Sequence, residues 1–229
     1  MSFGVQPDGW LSEVMSRPVF RVDGDGDDRA LATCVRAPGF YFAKVATDRI
    51  ADVHTLSSLG FRVVDTAVTF ELVRDIPVAT AIDVMDCTAA DTERVLAIAG
   101  SAFRYSRFHL DPAVGLELAH RVKREWIANY VRKQRGDALL VARSEGVPVG
   151  FLAALDSAGT ATIDLIAVAS DAHGRGIGTA LCAAFAIRYR GQPRIVGTQV
   201  ANVPSIRMYT KLGYELARSQ YVLHLHTGA

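Results

Sequence analysis

His173-Gly174-Arg175-Gly176-Ile177-Gly178-Thr179-Ala180 follows an apolar run at residues 163–168 and opens an alanine-rich stretch of helical period. A strand that runs into a glycine-rich turn and then a helix start is a phosphate-binding arrangement. The glycines let the backbone approach an anion, and the first helical turn offers N–H groups without intrahelical partners at the positive end of the dipole. The same glycines would suit a dinucleotide site on a parallel sheet, which also needs a leading βαβ unit and an acid about twenty residues on. Arg190-Gly191-Gln192 occupies that neighbourhood, which argues against a nicotinamide cofactor.

Working outward, residues 194–200 read as a strand, residues 203–212 as a helix ended by Gly213, and residues 214–225 as terminal strand. Asn202 precedes Tyr209 by seven residues, and Leu212-Gly213-Tyr214 follows. On the other side, residues 82–87 alternate as a strand. Thr88, with Asp91 and Glu93 after it, caps a helical stripe containing Val95, Leu96 and Ala99. Asp111-Pro112 opens a longer helical pattern through Leu116, Ala119, Val122, Trp126 and Tyr130 up to Gly136. The runs at 138–142 and 147–155 flank Ser144-Glu145-Gly146 as a hairpin, and a third run, 161–168, meets the glycine turn.

The order strand, two helices, three strands, helix, strand, helix, strand, carrying these motifs, resembles the GCN5-related N-acetyltransferases (GNAT). The resemblance implies an α/β (α+β) fold with a mixed central sheet flanked by helices, and acetyl-CoA as co-substrate. It places the cofactor pyrophosphate on His173, Gly174, Arg175, Gly176, Ile177, Gly178 and Thr179, with His173 standing where the family usually has Gln or Arg. The backbone of Ile166, Ala167 and Val168 would line up with pantetheine, one N–H there polarising the thioester carbonyl. Asn202 would hold the cofactor chain, and Tyr209 would be the catalytic proton donor to the departing thiolate.

The first eighty residues hold a second pattern. Leu59-Gly60-Phe61 matches Leu212-Gly213-Tyr214, and residues 68–72 match 221–225 at the same offset. Ile50, Val53, Leu56 and Leu59 correspond to Val203, Ile206, Tyr209 and Leu212, while Arg49 stands for Asn202 and Leu56 for Tyr209. This predicts an incomplete, non-catalytic GNAT-like N-terminal domain at residues 1–76 and a catalytic domain at 77–229, joined at Asp75-Ile76-Pro77. Asp23-Gly24-Asp25-Gly26-Asp27-Asp28 lacks the closing Glu and the spacing of a calcium loop and reads as an acidic surface turn.

A closer resemblance runs over nearly the whole chain, to the dTDP-fucosamine acetyltransferases. It rests on Leu59-Gly60-Phe61, on the Ala-Phe-x-x-Ser-Arg-Phe segment at 102–108, on Trp-Ile-x-Asn at 126–129, and on Thr198-Gln199 leading through Asn202 to Tyr209. It implies acetylation of the amine of a dTDP-4-amino-4,6-dideoxyhexose, with Ser106, Arg107 and Phe108 on the acceptor side and Arg107 against a phosphate. The alternatives are an amino acid, aminoglycoside or protein amine as acceptor, or a non-catalytic acyl-CoA-binding module. An N-terminal half that closes a peptide groove would favour the small acceptor. No general base is assigned: Asp164 lies on the strand beside the cleft, with a solvent or strand-pair role equally open. His224 and His226 alternate on the last strand, but with no third ligand spaced to join them a solvated face is expected and no metal.

Composition sets the remaining expectations. The chain has 229 residues, half of them hydrophobic, and a net charge of +1 with acids and bases interspersed. Neither nucleic acid nor a membrane surface is expected as a partner. Cys34, Cys87 and Cys182 form no paired framework, and residues 1–10 do not have the makeup of a signal peptide, so a cytoplasmic location is expected. Strands at a sheet edge make a homodimer an open expectation.

Overall fold

A computed structural model describes residues 4–23, 35, 37–78 and 80–228. The chain runs β1 (Gly4–Pro7), α1 (Gly9–Met15), β2 (Val19–Asp23), β3 (Gly39–Ala46), α2 (Ile50–Ser58), β4 (Arg62–Leu72), β5 (Asp83–Asp86), α3 (Thr92–Ala99) and α4 (Leu116–Val131). It continues with β6 (Ala138–Ser144), β7 (Val147–Ser157), β8 (Thr160–Val168), α5 (Ile177–Arg188), β9 (Arg194–Gln199), α6 (Val203–Lys211) and β10 (Tyr214–Thr227). The ten strands form one mixed sheet in the order β1-β2-β3-β10-β4-β9-β8-β7-β6-β5. No helix among the described residues is long and apolar enough to cross a membrane.

Local chemistry sets the elements around the site. β6 and β7 are joined at Glu145 (φ 52°) and Gly146 (φ 79°), two successive left-handed residues that match the twist of an antiparallel pair. Thr88 and Asp91 form the expected capping box, and Arg143 of β6 binds the same Asp91 carboxylate at 3.2 and 2.6 Å, so the cap also fastens α3 to the sheet. The helix expected from Asp111 begins at Leu116 instead. The Asp111 carboxylate accepts the Ala113 N–H at 3.0 Å and makes a turn, and Gly115 (φ 79°) precedes the first helical residue. That helix stops at Val131, short of Gly136, because Lys133 (φ 58°) turns the chain.

Both matching segments adopt one design. β3-α2-β4 and β9-α6-β10 are each strand, helix and strand. β4 and β10 lie side by side and antiparallel; β10 also pairs with β3, and β4 with β9. Each unit therefore places its second strand beside the first strand of the other, and residues 62–72 lie inside the sheet that carries β5 to β10. Arg49 and Asn202 precede their helices, Leu56 and Tyr209 are buried at equivalent positions, and Gly60 (φ 95°) and Gly213 (φ 89°) end them. Residues 24–28 and Cys34 lie outside the described residues; Cys87 and Cys182 are free.

Candidate active site

β8 and β9 run parallel but pair only at Ala161↔Arg194, Thr162↔Ile195 and Ile163↔Val196. Beyond that point they separate, β8 continuing to Val168 and β9 to Gln199. A register shift against β7 leaves Asp164 as the extra residue at the point of divergence, the usual way a bulge re-aims a strand. Ile166, Ala167 and Val168 thus present backbone groups along an edge without a partner strand, the requirement for pairing with an extended ligand chain.

At the end of β8 the helix that the glycine stretch opens begins only at Ile177, because Gly174 (φ 76°) and Gly176 (φ 79°) are both left-handed. The first α-helical bond is Ala180 N–H to Gly176 O at 3.0 Å, which leaves the N–H groups of Ile177, Gly178 and Thr179 without intrahelical partners. A Cβ on Gly178 would lie 2.9 Å from Met208 Sδ, so this glycine is needed for close approach to α6. The residues fit a diphosphate. His173 turns back, its Nε2 3.0 Å from Val168 O, and Arg175 reaches Ser144 Oγ at 3.1 Å, beside a cavity of about 340 Å³.

Tyr209 is 2% exposed, packed against Phe70 (6.2 Å) and Tyr214 (5.6 Å). Burial pushes its phenol well above the ordinary value, so it keeps its proton at neutral pH. Of the two neighbouring phenols, only that of Tyr214 is sealed from solvent without a partner. Asn202 caps α6: its Oδ1 accepts the Ser205 N–H at 3.4 Å and its amide donates to Thr198 Oγ1 at 3.1 Å. The structure thus gives Asn202 a helix-positioning role that a motif reading misses.

A cavity of about 830 Å³ opens on the other side of the divergence, lined from both halves of the chain: Asp8, Arg21 and Lys44 from the first, Arg107, Trp126 and Arg135 from the second. Arg107 is sandwiched over the rings of Phe42 (3.9 Å) and Phe108 (4.3 Å), and burial lowers its pKa to about 10. Ser106 and Phe108 are themselves buried and do not line the cavity; Phe108 supports Arg107, and Ser106 Oγ lies 2.6 Å from His109 Nδ1.

Two expectations change here. Asp164 is neither solvated nor basic: Trp126 Nε1, Tyr130 Oη and Arg135 Nε all donate to its Oδ2 at 2.7 to 2.8 Å. Burial alone would raise its pKa, but these donors and the Arg135 charge hold it below the usual carboxylate value. His224 and His226 do not form a solvated face either. His224 is 2% exposed, and Asp111 Oδ2 sits 2.6 Å from His224 Nδ1 and 2.8 Å from His226 Nε2. The three could hold a metal by geometry. Yet His224 Nε2 faces the Arg107 guanidinium at 3.2 Å, and both His–Asp contacts have hydrogen-bond lengths, so the donor set works as a proton-bearing network. Sequence could not show it: Asp111 comes from a turn 113 residues before His224.

The family model described as "Acetyltransferase (GNAT) family" matches residues 97–214. The chain is 30% identical over 141 residues to the Bacillus subtilis protein named spore coat polysaccharide biosynthesis protein SpsD, covering 60% of this chain and about half (48%) of that relative. Among solved structures, a functionally unknown conserved protein from Staphylococcus epidermidis superposes with a TM-score of 0.70 at 16% identity, covering 95% of this chain and 89% of that one. A tandem GNAT protein from the clavulanic acid biosynthesis pathway gives 0.65 at 15% identity over 100% of this chain and 80% of that one.

Proposed function

The chain belongs to the acetyltransferase (GNAT) family; from that premise we propose that it is an acetyl-CoA-dependent N-acetyltransferase whose acceptor is the amine of a nucleotide-linked amino sugar, a dTDP-4-amino-4,6-dideoxyhexose. The observation that carries this reading is the cavity shared by the two halves, with Arg107 held at its wall. A diphosphate needs a fixed, forked donor, and a guanidinium clamped between two rings and oriented by an imidazole is such a donor. Lys44 adds positive charge, Arg135 and Arg21 being paired with Asp164 and Asp23, and Trp126 offers an apolar surface for a deoxysugar or base. Asp8, Trp10 and Arg21 of the first half line the cavity, which favours a small acceptor over a peptide. The relative named for spore coat polysaccharide biosynthesis supports a sugar acceptor.

Acetyl-CoA supplies an activated acyl group; the chain supplies position and protons. The N–H groups at 177–179, with the left-handed turn before them, bind the pyrophosphate. The free edge of β8 at Ile166, Ala167 and Val168 aligns the pantetheine and lends an N–H to the carbonyl oxygen. Tyr209 keeps its proton for the leaving sulfur. The test is coenzyme A release from acetyl-CoA against dTDP-4-amino-4,6-dideoxygalactose, free amino acids, an aminoglycoside and a peptide. Turnover with the nucleotide sugar supports the reading, and turnover with the peptide alone overturns it.

A further inference from the structure

Asp65 lies on β4, the strand that the first half of the chain inserts between β9 and β10. It is 7% exposed, and neither carboxylate oxygen has a partner at full hydrogen-bond geometry, with the Thr66 N–H and the Gln199 side chain as looser donors. The other buried carboxylates among the described residues are accounted for: Asp91 is held by Arg143 and Thr88, Asp111 by His224 and His226. A buried charged group without such partners is costly, and one that persists calls for a reason other than stability.

Its surroundings supply one. Lys44 pairs with Val222 and Val222 with Asp65, so the three side chains share one sheet face across β3, β10 and β4. Lys44 lines the acceptor cavity, and Arg107 lies over Phe42, two residues back on β3. On the opposite side Ala67, two residues on from Asp65, pairs with Gln199 at the end of β9, where β8 has already diverged. Asp65 therefore stands in the wall between the cavity and the opening where the cofactor's reactive end is expected. Burial pushes its pKa up to about 6, against the opposing pull of the Thr66 N–H, Lys44, Gln199 and Arg107.

We infer that Asp65 is the proton acceptor of the transfer step, receiving a proton from the ammonium of the substrate that enters beside Lys44. Only the loose contacts with the Thr66 N–H and the Gln199 side chain have to yield for its carboxylate to turn toward that ammonium. One proton leaves nitrogen for Asp65, and the freed lone pair forms the C–N bond to the thioester carbonyl carbon. As the C–S bond breaks, Tyr209 protonates the sulfur, and the second proton lost by nitrogen restores the phenol. Asp65 then releases its proton to water. The assignment rests on acetyl transfer to an amine and not on which amine it is.

Asp65→Asn keeps the shape and removes the base. With acetyl-CoA and dTDP-4-amino-4,6-dideoxygalactose, or with whichever amine of the panel above is turned over, kcat/KM should fall on the order of 10²- to 10⁴-fold. The rise in rate through about pH 6 should vanish with it. Thermal melting at pH 8 should stay level or increase, since a buried, poorly paired charge has gone, and Asp65→Glu should recover part of the rate. A variant that keeps the wild-type rate and pH profile overturns the assignment, and so does one that melts lower than the wild type. Turnover of another amine but not of the nucleotide sugar would remove the acceptor reading while still testing Asp65.

Discussion

Arg107 Nη1 lies 3.2 Å from His224 Nε2, and the guanidinium must be the donor. That fixes the proton of a neutral His224 on Nδ1, facing Asp111 Oδ2 at 2.6 Å. Burial is the main reason His224 stays neutral down to about pH 4; the Arg107 and His226 charges add to it, and Asp111 opposes. Burial would raise the Asp111 pKa, but the His224, His226 and Ala113 donors hold it well below the ordinary carboxylate range. Carboxylate, imidazole and guanidinium thus form one chain that aims Arg107.

If that chain orients a substrate-binding fork, removing its middle member should act on binding. His224→Ala is expected to raise the KM for the acceptor about tenfold or more while kcat changes less, by steady-state kinetics at saturating acetyl-CoA. Arg107→Lys should do the same, because an ammonium keeps the charge and loses the fork. Equal loss in kcat with no change in KM would separate Arg107 from acceptor binding.

Tyr209→Phe leaves the ring packed against Phe70 and Tyr214 and removes only the hydroxyl. The expected outcome is a loss in kcat of roughly 10²-fold or more, with little change in the KM for acetyl-CoA. An unchanged kcat would remove it as the acid.

Stability should depend on pH through the histidines. Burial lowers both His109 and His224 to about 4, from an ordinary 6.5; the His120 and Lys123 charges act in the same direction on His109. Between those values the unfolded chain binds more protons than the folded one, so stability is complete above about pH 6.5 and falls as pH drops toward 4. Asp65 acts with the opposite sign over part of that window, its raised pKa favouring the folded state at lower pH. Melting curves of wild type and His224→Gln across pH 4 to 7 should show a shallower decline in the variant. Parallel curves would contradict the neutral assignment.

Gly213 ends α6 at φ 89°, and a Cβ there would meet Arg74 O at 2.1 Å. Gly213→Ala should cost about 2–4 kcal/mol through backbone strain and displacement of the chain leaving β4. A melting temperature within about 2 °C of wild type would show that the β4–β10 junction has more slack than this geometry allows.

The second half of the fold was legible because its signals are local. The glycine turn, the capping box and the alternating runs at 138–168 each follow from nearest-neighbour chemistry, and their boundaries moved only where left-handed residues delayed a helix. The helix of the first half, with its terminal Gly60, was legible through its likeness to α6. The strands β1 to β3 were not, since their pairing partners lie far away: β3 pairs with β10, more than 170 residues later. The same limit hid the site's polar architecture. Asp164 reads as a possible base until Trp126, Tyr130 and Arg135 converge on it, and Asp65 carries no motif at all. Its setting exists only because β4 lies between β9 and β10.

The most direct test of the account is a crystal structure of the protein with coenzyme A and dTDP bound together. The account predicts the coenzyme A pyrophosphate on the backbone N–H groups of residues 174–179, its sulfur beside the Tyr209 hydroxyl, and the dTDP diphosphate on Arg107. Coenzyme A held away from the glycine turn, or dTDP bound outside the shared cavity, would contradict it.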